Sequence, residues 1–208
     1  MRSTGIMKKP KAVRAVEKID RDVAKEAAKV RDTPVVRTLG ALSELADQPP
    51  LATICASVLG AGLASGDARL ARVGGRMLLG FAVATTLKAL VKRSIDRTRP
   101  LVAEEFGYTS RRGTRNEGPW NSFPSGHTAG ALAVTRSLAR EYPDTALAGA
   151  AATAVVAAVQ LPRGRHYATD IVTGAAIGFV AERASNALFG YLSAAFSASA
   201  RSVRSQGK

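Results

Sequence analysis

The chain has only two histidines, and each lies among small, turn-forming or cationic residues instead of on an apolar face. His127 closes the stretch Asn121-Ser122-Phe123-Pro124-Ser125-Gly126-His127, and His166 lies in Arg163-Gly164-Arg165-His166-Tyr167-Ala168-Thr169-Asp170. Pro124-Ser125-Gly126 reads as a helix start: the Ser125 hydroxyl can cap free amides, Gly126 permits close backbone approach, and the amides with the helix dipole favour an anion. His127 then sits in the first turn beside that anion. A third cluster, Lys92-Arg93-Ser94-Ile95-Asp96-Arg97-Thr98-Arg99-Pro100, sets Lys92 and Arg99 two helical turns apart, so both cations can point one way before Pro100 ends the helix. Two cations to hold equatorial oxygens, one histidine to attack and one to protonate the leaving group make a phosphoryl-transfer site built from residues alone. If helix continues through the last cluster, His166 and Asp170 form an i,i+4 pair. Asp170 can then accept from one imidazole nitrogen and leave the other free to attack phosphorus.

These clusters need elements that bring them together. Val16, Ile19, Val23, Ala27 and Val30 recur every three to four residues, which predicts an amphipathic helix able to lie on a membrane surface. Thr33-Pro34 starts a short helix to about Leu45, broken by Asp47-Gln48-Pro49-Pro50. Apolar runs follow at Leu51 to Ser65, Met77 to Val91, Thr128 to Leu138 and Thr145 to Leu161. Asp170 to Val180 begins the last long helix, and Glu182-Arg183 interrupts its apolar pattern, which resumes from Ala187 to Ala198. The first cluster follows the second run, the second precedes the third run and the third follows the fourth, so alternating helices return all three to one end. Between the first two clusters, Leu101 to Trp120 reads as a loop of about twenty residues covering the site, with Phe106, Tyr108 and Trp120 as candidate substrate contacts.

Lys92-x6-Arg99-Pro100, Pro124-Ser125-Gly126-His127 and His166-x3-Asp170 resemble, in order, the three signatures of the type 2 phosphatidic acid phosphatase superfamily, which includes vanadium haloperoxidases. The resemblance covers roughly residues 75 to 185. It implies an all-α, multi-pass membrane helical bundle of the haloperoxidase-like fold. It implies His166 as nucleophile, Asp170 as its orienter and His127 as general acid, with Lys92, Arg99, the Ser125 hydroxyl and the Gly126 amide on the phosphate oxygens. One position departs from the pattern. The family's third signature begins Ser-Arg, where this chain has Val159-Gln160. Gln160 can still donate an amide hydrogen bond, and Arg163 or Arg165 is a candidate to supply the missing charge.

Composition bounds the rest. The net charge of +14 is concentrated outside the apolar runs: residues 1–40 carry eleven Lys or Arg against five acids. That balance suits anionic lipid or an anionic substrate, and the basic stretches lack the interleaved aromatics that nucleic-acid binding would favour. Cys55 is the single cysteine and lies in an apolar run, so no internal disulfide or thiolate metal site can form. No metal and no cofactor are expected. The expected organisation is a disordered basic tail at 1–12, amphipathic helices over 13–50, a membrane-embedded phosphatase domain over 51–199 and a basic tail at 200–208. No cleavable export signal is evident, and the expected location is the cell membrane, the bacterial cytoplasmic membrane in particular. The expected activity is metal-independent hydrolysis of a lipid phosphate or polyprenyl (di)phosphate through a phosphohistidine. The alternatives are a non-catalytic anionic-lipid-binding protein of the same fold and a vanadate-dependent haloperoxidase. Basic residues in the N-terminal tail and after the second run point the site toward the cytoplasm.

Overall fold

The structure is a computed structural model that describes residues 9–114 and 118–206, with side chains through residue 195. Eight α-helices and one two-stranded ribbon are ordered along the described residues: α1 Lys11–Ala28, α2 Pro34–Ser43, α3 Gln48–Ser65, α4 Ala68–Lys92, β1 Ile95–Arg97, α5 Pro100–Phe106, β2 Ser110–Arg112, α6 Gly126–Glu141, α7 Ala146–Val159 and α8 Ala168–Gln206. A 3₁₀ turn, Glu44–Ala46, joins α2 to α3.

Pro49 and Pro50 do not break the chain so much as start α3, because a proline in the first turn gives up only amides that have no intrahelical partner. Gly66, in the left-handed conformation, ends α3, and Asp67 caps α4 by accepting from the Arg69 and Leu70 amides. The two helices press close together. A methyl group at Gly62 would lie 2.2 Å from the Ala71 nitrogen, and one at Gly74 would lie 2.3 Å from the Leu59 nitrogen. Small residues thus do for this pair what they do between membrane helices.

Helix α4 is the axis of the bundle and packs on α3, α6 and α8. Its Val73 and Met77 form a core with Leu51, Cys55 and Val134, while Ala84, Ala133 and Ala181 fill the level nearer the site. Helix α8 is continuous. The Glu182 that interrupts its apolar pattern is fully buried and bonded to Arg136 at 3.2 Å and Arg140 at 2.7 Å on α6, so the charge is an interhelical tie. The helix also runs on through the segment expected as a C-terminal tail, to Gln206. At the other terminus α1 begins at Lys11, and the rest of the expected tail, residues 1–8, lies outside the described residues.

Helix α1 is amphipathic as the periodicity predicts, yet its contacts are inverted. Val16, Ile19, Val23 and Val30 are exposed, and the buried positions are Asp20 and Ala24. Segment 101–120 is not a plain loop either. It contains α5 and β2, which pairs antiparallel with β1 (Asp96 opposite Arg111), and residues 115–117 lie outside the described residues.

Candidate active site

The ends of three helices and two connecting loops meet at one end of the bundle. The ribbon and α5 brace them: Arg99 N–H donates to Pro119 O, Ser122 N–H to Arg97 O at 3.0 Å, and Leu101 N–H to Gly164 O at 3.0 Å. Gly164 turns the α7–α8 loop at φ +65°, where an L side chain is strained, and a methyl there would also press on Leu101. Arg31 clamps that loop by donating to Pro162 O while it pairs with Glu104 of α5.

His166, 3% exposed, sits in this pinned loop, with its Nδ1 2.6 Å from the Ser122 carbonyl oxygen. A carbonyl only accepts, so Nδ1 carries the hydrogen and Nε2 keeps a free lone pair. Burial first, then the charges of Arg99, His127 and Lys92, hold His166 well below the usual histidine pKa, against the Ser122 hydrogen bond that raises it. The imidazole is therefore neutral at neutral pH, as a nitrogen nucleophile must be.

Asp170 does not take the place expected for it. Its Oδ2 is 3.9 Å from His166 Nδ1, too far for a hydrogen bond. Fully buried, it accepts instead from the Tyr167 amide at 2.8 Å, the Ser122 hydroxyl at 2.5 Å and Arg97 Nη1 at 2.6 Å. The Tyr167 bond is the returning half of a capping box, since Asp170 is the third residue of α8 and Tyr167 its cap. The carboxylate thus orients His166 at one remove, by fixing the Ser122 residue whose carbonyl binds the ring. Arg97 is buried and bridges Asp170 to Asp20 of α1 at 2.6 Å on each side. Its guanidinium also lies 4.1 Å over the Tyr167 ring.

Ser125 caps α6, accepting from the Thr128 amide and sharing a hydrogen bond with the Thr128 hydroxyl at 3.0 Å. The side chain is fully buried, so its hydroxyl belongs to the helix start more than to a ligand. Among the described residues the Gly126 amide has no hydrogen-bond partner, leaving it available to an anion. His127 follows, its ring centroid 6.4 Å from that of His166. Lys92 and Arg99 have no ion-pair partner among the described residues, and both face His166 closely enough to depress its pKa.

Gln160 does not point its amide nitrogen at the site. Its Nε2 donates to Ser43 Oγ at 3.2 Å and to Val156 O at 3.0 Å. Arg163 is likewise engaged elsewhere: Nη1 donates to Ser43 Oγ at 2.8 Å, and Nη2 is bonded to Glu44. Both turn toward the α2–α3 junction because that junction supplies the acceptors. Arg165 stays nearer the site, half exposed, and its charge bears on Arg99. A cation that sequence reasoning passed over is Lys88, one turn before Lys92 on α4. It is 9% exposed, and a methyl on Gly126 would lie 3.3 Å from its Nζ. Its i,i+4 spacing from Lys92 was the signal that could have found it. Of the aromatic candidates, Tyr108 packs edge-on against Tyr167 with centroids 5.6 Å apart, while Phe106 is 69% exposed.

One cluster among the described residues could hold a cation: Glu44, Asp47 and His127 bring a ligand atom each within 4.8 Å of one another. The same Glu44 carboxylate already faces Arg163 and Arg165, whose charges oppose a bound cation.

Residues 74–194 match the family model of the PAP2 superfamily. The chain belongs to the PAP2 superfamily. Lipid A 1-phosphatases from Rhizobium etli and Rhizobium johnstonii are each 30% identical to it over 92 residues, which is 44% of this chain. The match spans only 40% and 38% of those relatives' own lengths. Among solved PAP2-type structures, the transmembrane phosphatidylglycerolphosphate phosphatase of Bacillus subtilis superposes with a TM-score of 0.61 over 84% of this chain and 86% of its own, at 20% identity. LpxE of Aquifex aeolicus superposes at 0.59 over 79% and 92%, at 16% identity. The helical PAP2 fold therefore extends to parts of the chain outside residues 74–194.

Proposed function

We propose that this PAP2 chain is an integral membrane phosphatase that removes phosphate from a lipid phosphomonoester or polyprenyl (di)phosphate, with His166 as a covalent nucleophile. The observation that carries the reading is the His166 ring: Nδ1–H is committed to Ser122 O, and Nε2 is left neutral within the field of Lys92 and Arg99. The Rhizobium relatives are lipid A 1-phosphatases, which supports a lipid substrate.

In the first step Nε2 attacks phosphorus and the P–O bond to the lipid breaks. His127 donates its proton to the departing oxygen, the alkoxide of a monoester or the phosphate of a diphosphate, and the phosphoryl group stays on His166. Lys92, Arg99 and the Gly126 amide bind the phosphoryl oxygens, whose charge they stabilise as it redistributes. In the second step water attacks phosphorus and gives its proton to the now neutral His127. The P–N bond breaks, releasing phosphate and restoring His166. With Gln160 and Arg163 turned away, Lys88 beside Gly126 is the cation positioned to supply the charge that the family's arginine would bring.

A membrane setting fits the surface. Helix α4 is long and apolar enough to cross a bilayer, and among the described residues it alone meets that measure. In our reading α3, α6, α7 and α8 cross beside it, with Leu63, Leu147, Val172 and Val180 of these helices facing outward into lipid. The uncovered Val16, Ile19 and Val23 stripe of α1 lies in the interface of the same membrane. The test is phosphate release by detergent-solubilised protein from phosphatidic acid, phosphatidylglycerol phosphate, lipid A and polyprenyl phosphates, in EDTA. Turnover of at least one, abolished in His166→Ala, is expected. Turnover of none, or activity only with added metal, refutes the proposal.

A further inference from the structure

Helix α2 and the turn after it lie outside the family match, yet they deliver a carboxylate to His127. Glu44 Oε2 is 3.8 Å from His127 Nε2, and that ring nitrogen is buried with no hydrogen-bond partner among the described residues. The other carboxylate oxygen is bonded to Arg163 and lies 3.9 Å from Arg165 Nη2. Ser43, the residue before, is buried and donates to Gly40 O at 2.7 Å while accepting from Arg163 and from Gln160. Gly40 is where Arg163 passes, since a methyl there would lie 3.0 Å from its Cδ and Nε. Position 160 and Arg163 therefore work together, fastening the Ser43-Glu44 pair.

Resting on the phosphatase reading, we propose that Glu44 is a positioning residue that holds His127 as the proton donor, and that Gln160 and Arg163 serve this chain by holding Glu44. A carboxylate within ion-pair distance favours the protonated imidazole. Glu44 is suited to the task because it stays ionised: burial raises its pKa, but the hydrogen bond and charge of Arg163, with His127 and Arg165, more than offset that. The charged and titratable groups that face His127 are Glu44 and Asp47 from the α2–α3 junction, Arg163 and Arg165 from the α7–α8 loop, and the neutral His166. Removing Glu44 leaves Asp47, which is exposed, against two guanidinium groups.

With only two histidines in the chain, each imidazole can be assigned by replacing the other, so the titration of His127 is directly readable by NMR on the full-length protein in detergent. In Glu44→Gln the His127 midpoint should fall by about half a unit to one unit, an ion-pair shift discounted for the half-exposed carboxylate. The His166 signal should stay put, and Glu44→Ala should act in the same direction. The alkaline limb of kcat/KM for the fastest lipid phosphate of the panel should move down with the midpoint, while the acid limb stays. An unmoved His127 midpoint, or an unmoved alkaline limb, overturns the proposal. Activity lost in EDTA, restored by a divalent cation, and no longer so restored in Glu44→Gln would also overturn it, in favour of a cation held by Glu44, Asp47 and His127. The phosphatase reading fails separately, by absence of turnover in the wild type, and the NMR titration needs no turnover.

Discussion

Replacing Asp170 with Asn distinguishes direct orientation of His166 from orientation through Ser122. The substitution keeps the side-chain shape, and its amide oxygen can still accept from the Ser122 hydroxyl and the Tyr167 amide. It removes one of the two carboxylates on the buried Arg97 guanidinium and turns an NH₂ group toward it. Removing one partner of a buried ion pair costs about 3–5 kcal/mol, and the lower end applies because Asp20 remains. For a chain of this length, about 3 kcal/mol corresponds to a Tm loss of about 6–12 °C, measurable by tryptophan or tyrosine fluorescence in detergent. Catalysis should suffer less than stability suggests. His166 keeps its 2.6 Å bond to Ser122 O, so the tautomer survives, and kcat should fall by about 10- to 100-fold. A carboxylate that itself orients a catalytic histidine is worth about 10⁴-fold, as in the serine protease triad. An Asp170→Asn variant with wild-type Tm and a 10⁴-fold lower kcat would refute the Ser122 route and restore the direct pair.

Lys88→Met, which keeps the stem and removes the charge, should lower kcat/KM by about 10-fold or more with little change in Tm, as loss of an electrostatic stabiliser does; an unchanged kcat/KM in phosphate-release assays would remove Lys88 from the site. The depressed pKa of His166 fixes the sign of a stability change: between its folded value and about 6.5 the unfolded chain binds a proton that the folded chain refuses, so Tm should fall as pH drops through that window. That part of the fall should be missing in His166→Asn. Gly174→Ala should destabilise by several degrees in Tm, because its methyl would lie 2.5 Å from the Ser125 carbonyl oxygen and push α8 off the start of α6. For topology, an impermeant thiol reagent in intact cells should label Asp144→Cys and leave Arg112→Cys unlabelled if the site end faces the cytoplasm; the reverse pattern refutes that orientation.

The helix order, the shared end of the three clusters and the pairing of two histidines were legible because they depend on local periodicity and turn chemistry. Pro49-Pro50, Gly66-Asp67 and Ser125-Gly126 mark helix ends in any context, and the described elements begin and end beside them. What was not legible depends on separations the local pattern cannot carry. Nothing near Asp20 announces that it will receive Arg97 and the Thr169 amide from across the chain, and nothing near Glu44 points to His127. The Glu182 charge looked like an interruption of the apolar pattern because its partners Arg136 and Arg140 lie on another helix. The Asp170 spacing was read as a helical i,i+4 pair with His166, but α8 starts at Ala168 and leaves His166 in the loop before it, and spacing could not say which acceptor reaches the ring first. Here the Ser122 carbonyl does.

The site's cations fall into two groups that the sequence alone could not separate. Arg97 is matched by Asp20 and Asp170, and Arg163 is matched by Glu44; each is satisfied before any substrate arrives. Lys88, Lys92 and Arg99 are partly or largely withdrawn from solvent with no carboxylate within ion-pair distance among the described residues. Unpaired charge in such surroundings costs free energy unless an anion completes it. On the phosphatase reading, the paired arginines build the cradle, and the unpaired cations are what a phosphate would neutralise. On the same reading, that division accounts for Gln160 standing where the family has arginine. With Arg163 drawn to Glu44, an arginine at 160 would add a second guanidinium next to Ser43, whereas a neutral amide bonds Ser43 and adds no charge there.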